Sequence, residues 1–350
     1  MLKRLVALGC ACLIVLAGAA YAQRHWGPRI VFVRILPVPD TVSPQLQKLI
    51  AVRPGSAWGP IPSDPAVWRK EAKRSADQLA ARYPAMEQRL GVSVQAQQVG
   101  GVNCFILLPT TIPPENRNRL LIHIHGGGYI LYSGESGVGE AILMAGIGHF
   151  KVISVDYRLA PDFPYPAGID DAMAVWRALL ATARPENLGL FGSSSGGAMV
   201  LSVVQRAIAE HLALPAAIAP GTPWADLTKT GDTIYTNAFV DNAIVADSGF
   251  LQSAAEAYAH GLDLKDPRIS PVYGDFHGFP PTILTSGTRD LFLSSTVRVH
   301  RKLREAGVDA ELEVFEGMSH GQYVLEDQVP EAREAFGEIA QFFDHHLGRD

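Results

Sequence analysis

From residue 120 onward the chain alternates between two hydrophobic rhythms. Short runs that are apolar or β-branched at nearly every position occupy 120–125, 152–157, 188–191, 216–219, 282–285 and 311–315. Runs this short and this uniform predict strands buried on both faces. Between them lie longer stretches with helical spacing, which predict helices over 137–145, 169–181, 196–211, 294–306 and 330–346. Repeated strand-helix alternation predicts an α/β fold, with a mostly parallel central sheet covered by helices on both faces. In such sheets the ligand site lies beyond the carboxyl ends of the strands. The residues just after each strand are therefore where chemistry is expected.

Two stretches break the rhythm. Residues 41–90 look helical, with Ser63-Asp64-Pro65 reading as an N-cap followed by proline in the first turn. Residues 224–262 carry polar turns and then a helix-like stretch over 249–260. Neither fits the sheet. Both are expected to cap the strand ends, as an N-terminal segment over 41–95 and as an insertion over 224–262 within a catalytic domain of 96–350. Trp58, Trp68 and Trp224 are candidates for lining a pocket under such a cap, with core packing as the alternative.

Composition changes the picture in three ways. With 350 residues, 47% hydrophobic and a net charge of −5, the chain is ordinary for a globular enzyme, and no run of Lys and Arg offers a surface for nucleic acid. The N-terminus is unlike the rest. Lys3 and Arg4 precede an apolar stretch over 5–18, and Ala20-Tyr21-Ala22 offers the small residues a signal peptidase reads. A signal peptide over 1–22 is expected, with cleavage after Ala22 and export to the periplasm or beyond. An uncleaved membrane anchor is the alternative, although the apolar stretch falls short of the ~20 residues a spanning helix needs. Two of the three cysteines, Cys10 and Cys12, lie in that leader; Cys104, in the apolar run 102–107, is expected to be a buried thiol.

The candidate chemistry begins at Gly192-Ser193-Ser194-Ser195-Gly196, directly after the strand at 188–191 and at the start of a helix. This is a G-x-S-x-G nucleophile elbow in its required context. The sharp turn lifts the Ser194 hydroxyl above the sheet at a helix N-terminus, where the dipole favours developing negative charge. A second motif, His125-Gly126-Gly127-Gly128, ends the strand at 120–125. Such a loop supplies backbone donors for the oxyanion of acyl transfer, each worth ~3 kcal/mol. The amides of Gly127, Gly128 and Ser195 are the expected oxyanion hole, and His125 is expected to order the loop and not to act as a base.

Serine needs a neighbouring base, and the chain has 11 histidines. His320, in the loop Gly317-Met318-Ser319-His320-Gly321 after the last strand, fits the chain order serine, acid, histidine. His345 and His346 end the last helix, and His260, His277 and His300 sit in polar or helical contexts. Asp290 follows the strand at 282–285 and is the expected acid, orienting His320 and stabilising its imidazolium.

Together these residues resemble the hormone-sensitive-lipase-like family of carboxylesterases, also called bacterial family IV, over about 42–326. Asp156-Tyr157-Arg158-Leu159-Ala160-Pro161, Pro164-Tyr165-Pro166-Ala167, Asp266-Pro267-Arg268-Ile269-Ser270-Pro271 and Gly278-Phe279-Pro280-Pro281 are similar to further family signatures. The resemblance implies an α/β-hydrolase core, a helical cap, no cofactor, and hydrolysis of short- to medium-chain acyl esters by a serine hydrolase. The small-molecule ester would be the main partner, with homodimerisation open. Two positions depart from the family pattern. The usual Gly-Asp-Ser-Ala-Gly has Ser193 where the acid stands, and Ser294 replaces a second acid downstream of Asp290. Neither touches the triad; both bear on substrate preference. Lactonase, amidase or peptidase activity with the same residues, and a non-catalytic relative that binds a small molecule, remain alternatives. A metal-dependent hydrolase is disfavoured by the lack of any His-x-x-x-His or clustered-ligand pattern.

Overall fold

The computed structural model describes residues 35–53, 55 and 59–348. The leader with Cys10 and Cys12, and Trp58, lie outside the described residues. The chain from Pro39 onward forms one unit. Three helices come first: α1 (Pro44–Ile50), α2 (Pro65–Ala80) and α3 (Tyr83–Leu90). The expected cap at the start of α2 is present, since Asp64 accepts from the Ala66 amide at 2.8 Å and Pro65 takes the first helical position.

A hairpin follows, β1 (Val92–Val99) and β2 (Val102–Pro109). Then come β3 (Leu120–Ile124), α4 (Gly139–Gly148), β4 (Lys151–Val155), α5 (Ala167–Leu180), β5 (Leu188–Ser193), α6 (Ser195–Ala209) and β6 (Ala217–Gly221). After β6 the chain makes α7 (Thr233–Thr236) and α8 (Phe250–Ala259) before β7 (Thr282–Gly287). The end is α9 (Leu293–Glu305), β8 (Ala310–Phe315), α10 (Gln322–Leu325) and α11 (Pro330–His346). All six expected strands and all five expected helices are present, with ends displaced by a few residues.

The strands form one sheet in the order β1-β2-β4-β3-β5-β6-β7-β8. From β4 to β8 the neighbours run parallel, while β1-β2 and β2-β4 are antiparallel. The hairpin is the part absent from the sequence expectations. It also shifts a boundary: the sheet begins at Val92, inside the segment assigned to the cap. β1 is an edge strand exposed over most of its length and rich in glutamine, so it lacks the unbroken apolar run of the central strands.

Both faces of the central strands are buried, which explains those runs. On β3, Ile122 and Ile124 pack into one core and Leu121 into the other. On β4, Ile153 and Val155 face the first core and Val152 the second. The first core takes Met173 and Trp176 of α5 and Val299 and Leu303 of α9. The second takes Ile142 of α4 and Phe336 and Phe343 of α11. Each such side chain contributes about 1.5–3 kcal/mol by leaving water. Cys104 lies in the first core as a buried free thiol, as expected. Among the described residues no helix is long and apolar enough to cross a membrane.

Candidate active site

The elbow between β5 and α6 is strained in the way the motif requires. Ser194 has φ 62° and ψ −125°, a backbone conformation costly for any residue with a side chain. The surrounding bonds hold it: the Ser194 amide donates to Gly221 O at 3.0 Å, and its carbonyl accepts from Trp224 and Ala198. The flanking glycines are dictated by proximity. A Cβ at Gly192 would stand 2.1 Å from Ile124 O, and one at Gly196 only 2.0 Å from it. Strand β3 therefore runs too close to the turn for any side chain on either residue.

Asp290 and His320 are brought together in the loops after β7 and β8. His320 Nδ1 lies 3.0 Å from Asp290 Oδ1, with Asp290 fully buried and His320 nearly so. The carboxylate is otherwise saturated: Oδ1 accepts the Phe292 amide at 2.8 Å, and Oδ2 accepts the hydroxyls of Ser286 (2.6 Å) and Thr222. Thr222 Oγ1 also stands 2.8 Å from His320 Nδ1, and the Phe292 ring meets the imidazole edge-on. With a carboxylate at Nδ1, the proton belongs on Nδ1 and Nε2 is left as the acceptor.

The electrostatics follow from these contacts. Burial by itself would push the His320 pKa down, but the charge and hydrogen bond of Asp290, and the charge of Asp241, outweigh it and hold it above the ordinary value. Burial would likewise push Asp290 up, yet His320, Ser286 and Thr222 bring it below the usual carboxylate range. The pair favours imidazolium beside carboxylate.

Ser194 and His320 line the same cavity of about 450 Å³. Its walls come from the triple-glycine loop, from Leu79 of α2 and Met86 of α3, and from Ala243, Ile244 and Phe250 between β6 and β7. Ser194 makes no side-chain hydrogen bond at the helix start, and none joins it to His320 among the described residues. The two therefore line a shared space without a preformed hydrogen bond between them.

The glycine loop lies beside the elbow. Gly127 has φ 108°, and its carbonyl accepts from the amides of Ile130 and Leu131, forming a tight turn; Gly128 has φ 65°. Among the described residues no acceptor takes the amides of Gly127, Gly128 or Ser195. His125 does not resemble a base. Its Nδ1 is 2.7 Å from Gly126 O, its ring stacks on Tyr157, and its Nε2 is buried without a partner. Burial holds its pKa down at about 3, so it is neutral at any working pH.

Several supporting residues were not marked by the sequence as having these tasks. Tyr157 donates its hydroxyl to His125 O at 2.9 Å, and Asp156 accepts the Gly134 amide at 2.8 Å. The Asp-Tyr-Arg signature thus braces the glycine loop. Ser195 Oγ accepts the Tyr129 amide at 3.2 Å and ties that loop to the elbow. Ser193 reaches Glu140 of α4: Oε1 accepts the Ser193 hydroxyl at 2.6 Å and Oε2 its amide at 3.1 Å. His123 and Tyr323 join the same buried network. By contrast, Trp68 and Trp224 are core residues that do not line the cavity, and Trp224 stacks on Phe292.

A parallel sheet bearing a strained serine elbow, with an acid and a histidine in the loops that follow, defines an α/β hydrolase. Residues 121–324 match the family described as alpha/beta hydrolase fold (Abhydrolase_3), and the chain belongs to it. The chain is 30% identical over 228 residues to an esterase of Acinetobacter venetianus, covering 64% of this chain and 74% of that protein. It is also 30% identical over 232 residues to an acetyl-hydrolase of Streptomyces hygroscopicus, covering 66% and 77%. Among solved structures, an esterase superposes with TM-score 0.87 at 38% identity, covering 92% of this chain and 99% of that one. A hormone-sensitive lipase from a metagenome library superposes with TM-score 0.69 at 28% identity, covering 81% and 99%. The protein is an ester hydrolase of the carboxylesterase type.

Proposed function

We propose that Ser194 is the nucleophile, His320 the general base and acid, Asp290 the orienting acid, and that the amides of Gly127, Gly128 and Ser195 bind the oxyanion. Ser194 Oγ attacks the ester carbonyl while His320 Nε2 takes its proton. The former carbonyl oxygen then carries the charge, which prearranged amides stabilise without reorganising. His320 returns the proton to the departing alcohol, leaving an acyl-enzyme. Water, deprotonated by the same nitrogen, releases the acid and restores Ser194. The observation that carries this reading is the buried Asp290–His320 pair, opening on the same cavity as a serine held at φ 62°.

The segment leading into the sheet and the one between β6 and β7 act as the cap, since both supply cavity walls. A largely apolar cavity of about 450 Å³ supports short- to medium-chain acyl groups. The basic start and apolar stretch of the leader support export. The test is Ser194→Ala, assayed on p-nitrophenyl acetate and butyrate and by labelling with a fluorophosphonate probe. Turnover and labelling are both expected to vanish apart from a small residual rate. Full hydrolysis by that variant would overturn the assignment.

A further inference from the structure

Asp241 lies in the cap, on the turn between α7 and α8, far in sequence from every residue assigned above. It is fully buried. Each carboxylate oxygen accepts two backbone amides. Oδ1 takes Ala243 N at 2.7 Å and Ile244 N at 3.1 Å, within its own turn. Oδ2 takes Leu291 N at 2.9 Å and His320 N at 3.2 Å. One oxygen thus shapes two cavity-lining residues of the cap, and the other holds the residue after Asp290 together with His320 itself. The flanking asparagines repeat the pattern. Asn237 donates its side-chain amide to Asp290 O at 2.8 Å, while Asn242 donates its backbone N–H to Ser319 Oγ at 2.8 Å and its side-chain amide to Leu49 O and Val52 O.

We propose that Asp241 is a positioning residue for the reaction: a buried carboxylate that fixes the acid and base loops relative to each other and to the cap wall. The proposal rests on the catalytic roles given to Asp290 and His320 above. The chemistry supports it in two ways. Four N–H donors and no acceptor favour the ionised form of Asp241, against the burial that disfavours it. Leu291 and His320 follow two different strands, so a single acceptor shared by their amides sets the separation of the acid and base loops. Misplacement of ~1 Å at such a site can cost a hundredfold in rate.

The titratable groups that act on the His320 charge are Asp290, from the loop after β7, and Asp241, from the cap; the uncharged Thr222 and Phe292 complete its packing. Burial, with the charge of Asp290 adding to it, holds the Asp241 carboxyl above the usual carboxylate range, although His320 and the Leu291 and Ala243 amides pull it down. Removing its charge therefore makes the imidazolium less favourable. The expected sign is a fall in the His320 pKa and a move of the acid limb of kcat/KM to lower pH.

The test compares the wild-type protein with Asp241→Asn and Asp241→Ser, whose smaller side chain leaves space for water if the amide does not fit. The readouts are kcat and KM on p-nitrophenyl butyrate, the pH profile of kcat/KM, and thermal melting. The expected result in a folded variant is a kcat lower by about tenfold to a hundredfold, a KM little changed, and an acid limb moved to lower pH. A folded variant with unchanged kcat or an unmoved limb would overturn the proposal. So would failure of both variants to fold, since Asp241 would then serve the fold alone. Failure of the underlying triad reading looks different: the wild-type protein itself would hydrolyse ester without labelling at Ser194.

Discussion

Tyr157 stacks on His125 with ring centroids 4.3 Å apart and planes 20° from parallel, and its hydroxyl donates to the carbonyl of the same residue at 2.9 Å. Ring and hydroxyl therefore hold one histidine from two sides, at the point where strand β3 becomes the glycine loop. Tyr157→Phe keeps the stack and removes the donor, leaving a buried carbonyl unpaired at a cost of about 1–2 kcal/mol. We expect melting to fall accordingly and kcat to drop by about three- to tenfold, as the proposed oxyanion donors lose their fixed position. Steady-state kinetics on p-nitrophenyl butyrate check this, and an unchanged kcat would show that the loop does not need the brace.

The pH dependence follows from His320. Its pKa is held above the free-imidazole value of 6.5, because Asp290 and Asp241 outweigh the effect of burial. In the proposed mechanism the base must be neutral to accept the Ser194 proton, so activity is expected to be lost as pH falls through that raised value. The acid limb of kcat/KM is expected above pH 6.5. Stability carries the opposite sign for this group. A raised histidine stabilises the fold most fully below its unfolded pKa, and that contribution is lost as pH rises through the folded one. Asp290, held low, contributes above its unfolded pKa and loses its part as pH falls through the folded value. A kcat/KM profile with its acid limb well below 6.5 would contradict the pairing.

The glycines of the elbow make a steric prediction. A Cβ at position 192 would stand 2.1 Å from Ile124 O, a backbone atom in the middle of the sheet that cannot turn aside. Gly192→Ala should destabilise the protein by about 3 kcal/mol or more, or prevent folding altogether. At Gly101, a Cβ would meet nothing within 4 Å, although φ is 82°. Alanine there should cost only the backbone strain, about 1–2 kcal/mol. Equal melting temperatures for the two variants would refute the close approach of β3 to the elbow.

What was legible in the sequence was local chemistry tied to a strand end. Ser194 is announced by its glycines, His320 and Asp290 by chain order, and the central strands by apolar runs that the two cores require. Contacts that join distant segments left no mark. Asp241 reads as an ordinary loop acid, and its role appears only when residues 50 and 79 positions away bring their amides to it. Thr222 is likewise an unremarked residue after β6 until Asp290 and His320 both meet its hydroxyl. The β1–β2 hairpin did leave a signal, the pair Gly100-Gly101 between two short strand-like runs, both residues having positive φ as a tight hairpin turn demands. The glutamines exposed on β1 obscured it.

The departure at Ser193 gives the last prediction. The family pattern has an acid there, yet here the position sits under the elbow with its hydroxyl 2.6 Å from Glu140 Oε1 and 2.7 Å from Tyr323 OH. The acidic group is already supplied from α4, so the serine works as its donor. Ser193→Asp, which restores the family residue, would place two carboxylates together in a buried site. Like charges at that distance raise the folded-state pKa of at least one of them above its unfolded value. The variant should then melt below the wild-type protein, and the deficit should grow as pH rises from 4 to 8 and the second carboxylate is forced to ionise. Melting curves across that range measure it. A deficit that stays constant with pH would mean that steric crowding, and not charge, is the reason serine occupies this position.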